Sequence, residues 1–137
     1  MKKVALLFAA FVTLFFAACG GGSDLPEAVA EKYLKASLKS DYGTMKKLTT
    51  EKQKAEVEKS EKEWKEKEKD IPPEKKEMIN KMKAMTPKAE EAKISEDGNS
   101  ADVRVPLFDE DGKPANMTFR YKMVKENGAW KVDSESK

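Results

Sequence analysis

The sequence predicts an α+β domain in which N-terminal helices pack on one face of a C-terminal four-stranded antiparallel meander sheet. Two observations carry this prediction. Apolar residues recur at the helical period of about 3.6 up to residue 86, then at a period of two from Lys88 onward. Short turn signals (Asp97-Gly98-Asn99, Asp109-Glu110-Asp111-Gly112 and Asn127-Gly128) divide the second part into segments too close for crossover connections, so neighbouring strands must run antiparallel. A third observation sets the N-terminus apart. Lys2 and Lys3 precede the apolar run Val4–Phe16, broken only by Thr13, and small residues follow it.

That order of basic head, apolar stretch and small residues is the pattern of a secretory signal peptide. Thirteen residues of helix reach only about 20 Å, short of the roughly 30 Å hydrocarbon core, so the segment is expected to be removed rather than to span a membrane. Phe16-Ala17-Ala18-Cys19 resembles the bacterial lipobox, with Phe16 where leucine is usual. The resemblance implies cleavage between Ala18 and Cys19 and a lipid carried on Cys19, palmitate among its acyl chains. The expected division is a leader over 1–18, a lipidated cysteine and Gly-Ser tether over 19–23, and one domain over 24–137. Helices are expected at about 24–86 and strands at about 88–134. Glycine frees the tether's backbone. Gly20 replaces the acidic residue that retains some lipoproteins in the inner membrane. The expected location is therefore the periplasmic face of the outer membrane of a Gram-negative bacterium, with the inner membrane and the cell surface as alternatives.

Composition narrows the chemistry. Lys2 and Lys3 leave with the leader, so the 27 basic residues fall to 25, against 25 acidic ones. A balanced chain lacks the basic footprint that nucleic acid requires, and nucleic acid is set aside as a partner. Cys19 is the only cysteine and there is no histidine. An internal disulfide, a cysteine-based zinc site and histidine-assisted catalysis are thereby excluded. No catalytic residue, cofactor or metal ligand is expected.

The elements follow in order. Asp24 and Glu27 form a capping-box pattern, Pro26 suits a first turn, and Val29, Ala30, Tyr33, Leu34 and Leu38 mark one helix face to about Ser40. Asp41 caps a short helix carrying Met45 and Leu48. Thr50-Glu51-Lys52-Gln53 is a second capping box. Between Glu51 and Asp70 fifteen of twenty residues are charged, eight acidic and seven basic. Glu58–Lys62, Glu61–Lys65 and Glu63–Lys67 stand at i,i+4 in the stabilising order. Only Val57, Trp64 and Ile71 form an apolar line there, too thin for a coiled-coil seam. A solvated helix is the plain account. The sharper one is a projecting arm that meets a partner through an exposed Trp64.

Pro72-Pro73 opens a further helix in which Ile71, Met78, Ile79, Met82 and Met85 keep helical spacing, and Pro87 closes it. Ala92 and Ile94 begin the alternating strands, followed by Ala101 to Leu107, Met117 to Met123, and Trp130 with Val132. The opposite face carries Lys93, Asp102, Arg104, Arg120, Lys122 and Lys131. Pro106 calls for an edge strand or a bulge. Asp109, Glu110 and Asp111 read as a hairpin turn rather than a calcium loop, since the distal glutamate is missing. Arg104, Arg120 and Lys122 are candidates to bind an anionic headgroup or sugar acid on the open face, but Asp102 and other acids nearby dilute that charge, and a solvated face is the plainer account.

Three stretches resemble the small bacterial lipoproteins of unknown function whose domains are nuclear-transport-factor-2-like, also described as cystatin-like. They are Pro26–Leu34, then Ser40-Asp41-Tyr42 with Met45 and Leu48, and Glu126-Asn127-Gly128-Ala129-Trp130-Lys131-Val132. The resemblance implies an α+β cone of helices on a sheet. It departs over residues 50–86, where a strand hairpin is replaced by helix, and it carries over no catalytic residue.

The function expected is a non-catalytic binding or protein-interaction domain, anchored to the membrane through Cys19, with an envelope protein as partner. The alternative is a periplasmic small-ligand carrier with a pocket near Tyr42, Met82, Tyr121 and Trp130. An enzyme stands third.

Overall fold

Four helices lead and five strands follow in a computed structural model that describes residues 25–136. The leader, Ala18, Cys19 and the tether lie outside the described residues. Helix α1 (Pro26–Leu38) is followed by α2 (Tyr42–Leu48), α3 (Glu51–Glu68) and α4 (Pro73–Lys83). The strands are β1 (Thr86–Pro87), β2 (Lys93–Ile94), β3 (Ser100–Phe108), β4 (Pro114–Glu126) and β5 (Ala129–Ser136).

Helix starts differ from the sequence expectation in their caps. The N-cap of α1 is Leu25, with Pro26 in the first turn; Asp24 lies outside the described residues. Asp41 caps α2 as expected, its Oδ1 accepting the Thr44 amide at 3.2 Å. Thr50 occupies the N-cap of α3, but its hydroxyl turns away to Asp133 Oδ1 at 3.2 Å. Glu126 from β4 supplies the missing acceptor, taking the Glu51 amide at 2.9 Å. A carboxylate at a helix N-terminus satisfies an orphan donor and complements the helix dipole. The Thr50 amide also donates to Val132 O at 3.0 Å, so the α2–α3 junction is tied to β5 by backbone and side chain together.

The sheet is antiparallel in the order β1-β3-β4-β5, with β2 also paired to β3. Five strands replace the expected four, because the first expected strand is broken. β1 and β2 lie end to end along β3, through Pro87↔Leu107 and Lys93↔Asp102. Between them the Lys88 and Glu90 amides still donate to Pro106 O and Arg104 O. Other amides go elsewhere: Ala89 donates to Glu31 Oε1 at 2.7 Å and Ala92 to Glu27 Oε1 at 2.9 Å. These two carboxylates stand one turn apart on α1 and draw the segment out of regular pairing. Pro106 lies in a strand paired on both sides, and the register slips between Pro106 and Phe108, so the bulge rather than the edge accommodates it. At Asn127-Gly128 both residues have positive φ, as a two-residue hairpin turn requires.

The core is one cluster. Val29, Ala30, Tyr33 and Leu34 of α1 meet Val103, Val105, Tyr121, Met123, Trp130 and Val132 of the sheet. Each fully buried apolar side chain contributes about 1.5–3 kcal/mol. The next helices add little: Met45 from α2 and Val57 from α3 are buried, and α4 buries no residue completely. Met82 and Met85 are half-buried against the cluster, whereas Met78 is 63 % exposed.

Candidate functional site

Three places have enough shape or charge to act: a recess under the helices, the helical arm, and the open face of the sheet. The recess follows from the aromatic centre of the core. Tyr33 meets Tyr121 edge to face, with ring centroids 5.4 Å apart, and Phe119 stacks beside Tyr121 at 6.5 Å. Burial, with the Glu135 carboxylate adding to it, pushes the Tyr33 phenol up to about 12. The Tyr121 phenol is raised by the same causes, and its hydroxyl is buried without a hydrogen-bond partner. Partial burial raises Tyr42 as well, with Glu61 adding to it. Phenols held protonated in this way are poor proton acceptors near neutral pH.

A recess of about 120 Å³ opens beside this centre, lined by Tyr33, Met45, Val57, Val132 and Glu135 among others. Pockets for small molecules typically span roughly 300–1,000 Å³. None of the four pocket residues expected from sequence lines this recess. Tyr121 and Trp130 are buried in the core, while Tyr42 and Met82 are half-buried on different helices. Lys125 Nζ lies 5.1 Å from the Trp130 ring, closing that side chain from outside.

The arm is built by α3 and α4. Its base is held by Val57 and by Glu61, which pairs with Lys46 of α2 at 2.9 Å and with Lys65 at 3.3 Å. Those partners hold the Glu61 carboxyl below its ordinary range, Lys46 most strongly. Of the three i,i+4 pairs read from the sequence, this Glu61–Lys65 contact is the one that closes. Among the described elements α3 meets only α2 and β5, and α4 approaches α1 alone. Trp64 is half-buried, not exposed as the sequence suggested. It shares a groove of about 200 Å³ with Ile71 and Ile79, where the two arm helices diverge. Trp64 thus lies in a groove whose lining comes from both arm helices, an arrangement that a seven-residue spacing alone could not reveal.

On the open face two rows of side chains cross the strands. In one, Lys93, Asp102, Lys122 and Ser134 face one another through successive register pairs. Charge alternates along it. In the other, Arg104 stands directly opposite Arg120, and Arg120 opposite Ser136. Arg104 Nη1 lies 3.4 Å from Glu90 Oε2, whereas Arg120 forms no ion pair with any acid among the described residues. These rows line a groove of about 390 Å³. The alternating composition predicts the face but not the register, which depends on the bulges in β3–β4 and β4–β5. The acidic turn after β3 is structural. Asp109 Oδ1 accepts the amides of Asp111 and Lys113, both at 2.9 Å. Among the described residues no group of three carboxylates is placed to hold a metal ion, and no helix is long and apolar enough to cross a membrane.

A family model described as a domain of unknown function, DUF4878, covers residues 17–133. No curated protein and no solved structure matches the chain.

Proposed function

The chain belongs to the DUF4878 family. We propose that it is a lipid-anchored domain of the bacterial cell envelope that works by binding another envelope component, not by catalysis. The observation that carries the binding reading is the arm. Residues 51–83 contribute one fully buried side chain, Val57, to the core, yet they form two helices with a groove where Trp64, Ile71 and Ile79 stand among Glu68, Lys76, Asn80 and Lys83. A segment that contributes so little to folding and still presents an aromatic anchor in a charged surround suits a partner interface. The lack of histidine supports the non-catalytic reading. We read the fold as nuclear-transport-factor-2-like, on the support of α1 contacting β3, β4 and β5 of an antiparallel sheet.

The anchor rests on the leader pattern and Cys19. Five residues separate Cys19 from Leu25, six Cα steps in all, so a lipid on that cysteine holds the domain within about 20 Å of the bilayer surface. Two experiments test the parts separately. Labelling with a palmitate analogue marks the wild-type chain and fails with Cys19→Ser; labelling that survives the substitution contradicts the anchor. A photo-crosslinking residue placed at position 64 in cells gives one dominant protein adduct, and the absence of any such adduct contradicts the interaction reading.

A further inference from the structure

We propose that the groove on the open face of the sheet is a binding site for a small soluble ligand bearing an oxyanion, a carboxylate or phosphate group, clamped between Arg104 and Arg120. The argument starts from register. Side chains directly opposite on antiparallel strands stand about 4.5–5.5 Å apart at Cβ, and like charges in that relation are destabilising. The neighbouring row avoids the conflict by placing Asp102 between Lys93 and Lys122. The Arg104–Arg120 row does not: Glu90 partners Arg104 from one side only, and among the described residues nothing acidic partners Arg120. The residue opposite Arg120 on β5 is Ser136, a neutral donor and acceptor.

Two arginines directly opposite in the register, only one of them in an ion pair, leave a positive charge uncompensated among the described residues. Planar forks of this kind hold oxyanions with paired, charge-assisted hydrogen bonds. The groove's volume of about 390 Å³ falls within the roughly 300–1,000 Å³ range of small-molecule sites. Glu90, Glu91 and Asp102, which also line it, offset much of the remaining positive charge and oppose the approach of an anionic bilayer. A single oxyanion on an otherwise neutral or zwitterionic molecule is what the charge pattern accepts. This site is separate from the arm and stands without the lipid anchor.

The test is a titration of the isotope-labelled full chain with inorganic phosphate and with acetate at constant ionic strength, followed by backbone amide shifts. Saturable shifts confined to Arg104, Arg120, Ser136 and their neighbours are expected. Arg120→Ala weakens binding about tenfold or more, the loss of one charge-assisted contact, while its remaining spectrum reports an intact fold. Arg120→Lys keeps the charge but loses the fork and falls between the two. Vesicles of anionic phospholipid form a second arm. Absence of saturable shifts, shifts unaltered by Arg120→Ala, or Arg120-dependent binding to vesicles alone would each overturn the proposal.

Discussion

The sheet with α1 and the α3–α4 arm are built on opposite principles. In β3 the alternate residues from Ala101 to Leu107 are buried almost completely, as are Tyr121, Met123, Trp130 and Val132, and α1 joins them in one apolar cluster. Stability there comes from area removed from water. In the arm, charge replaces burial: of the eighteen residues of α3 only Val57 is fully buried. Exposed ion pairs contribute little, about 0–1 kcal/mol each. The contrast teaches where sequence can change freely. The buried face of the sheet cannot alter a side chain without disturbing the core, while the arm can vary its surface and keep its shape.

The largest expected effect lies in the core. Leu34 is 1 % exposed, and Leu34→Ala should cost about 2–5 kcal/mol, read as a fall in the denaturant midpoint. A change much below that range would mean that α1 is not the seal of the sheet.

Next comes alkaline pH. The Tyr33 phenol rises from 10.0 to about 12 in the folded state, so the folded chain keeps a proton that the unfolded chain loses. Stability is then fully present below about pH 10 and declines as pH rises toward 12, by roughly 2–3 kcal/mol from this residue. Tyr33→Phe should flatten that decline in pH-dependent melts. An unchanged alkaline limb would place the decline elsewhere in the molecule.

The sheet edge gives a smaller effect. Glu31→Ala strands the Ala89 amide that Glu31 Oε1 accepts and should cost about 1–3 kcal/mol. Glu31→Gln keeps an acceptor and should recover part of this in the same melts. Tyr121→Phe tests the opposite sign. Its hydroxyl is buried without a partner, so removing it should be neutral or stabilising by about 1 kcal/mol. Destabilisation beyond that would reveal a partner for the hydroxyl.

Smallest of all is the arm. Trp64→Ala should lower stability by about 1 kcal/mol or less, since surface changes usually stay within roughly 0.5. A loss as large as that of Leu34→Ala would erase the distinction between the two regions.

Much of the fold was legible because period and turn chemistry are local. Alternation from Ala101 to Val132 and the positive-φ Asn127-Gly128 turn follow from side-chain geometry alone. What escaped the sequence reading is long-range polar satisfaction. Glu27 and Glu31 look like solvent residues on α1, yet they take the Ala92 and Ala89 amides and divide one strand into two. Thr50 has the right type for a capping box, but Asp133 competes for its hydroxyl and Glu126 takes over the cap. The same holds for the candidate sites. Arg104 and Arg120 were visible as residues of the open face, but their opposition depends on a register set by the bulges. The pocket read at Tyr42, Met82, Tyr121 and Trp130 rested on residue type, and the recess beside Tyr33 draws on other residues.

Native-state hydrogen exchange measures the difference between the two regions most directly, because it reports opening free energies residue by residue. Amides of β3, β4 and α1 should exchange only through global unfolding. Those of α3 beyond Glu61 and of α4 should exchange through local opening that leaves the sheet protected. Equal protection in both regions, rising and falling together with denaturant, would contradict the account and make the arm part of the folding core.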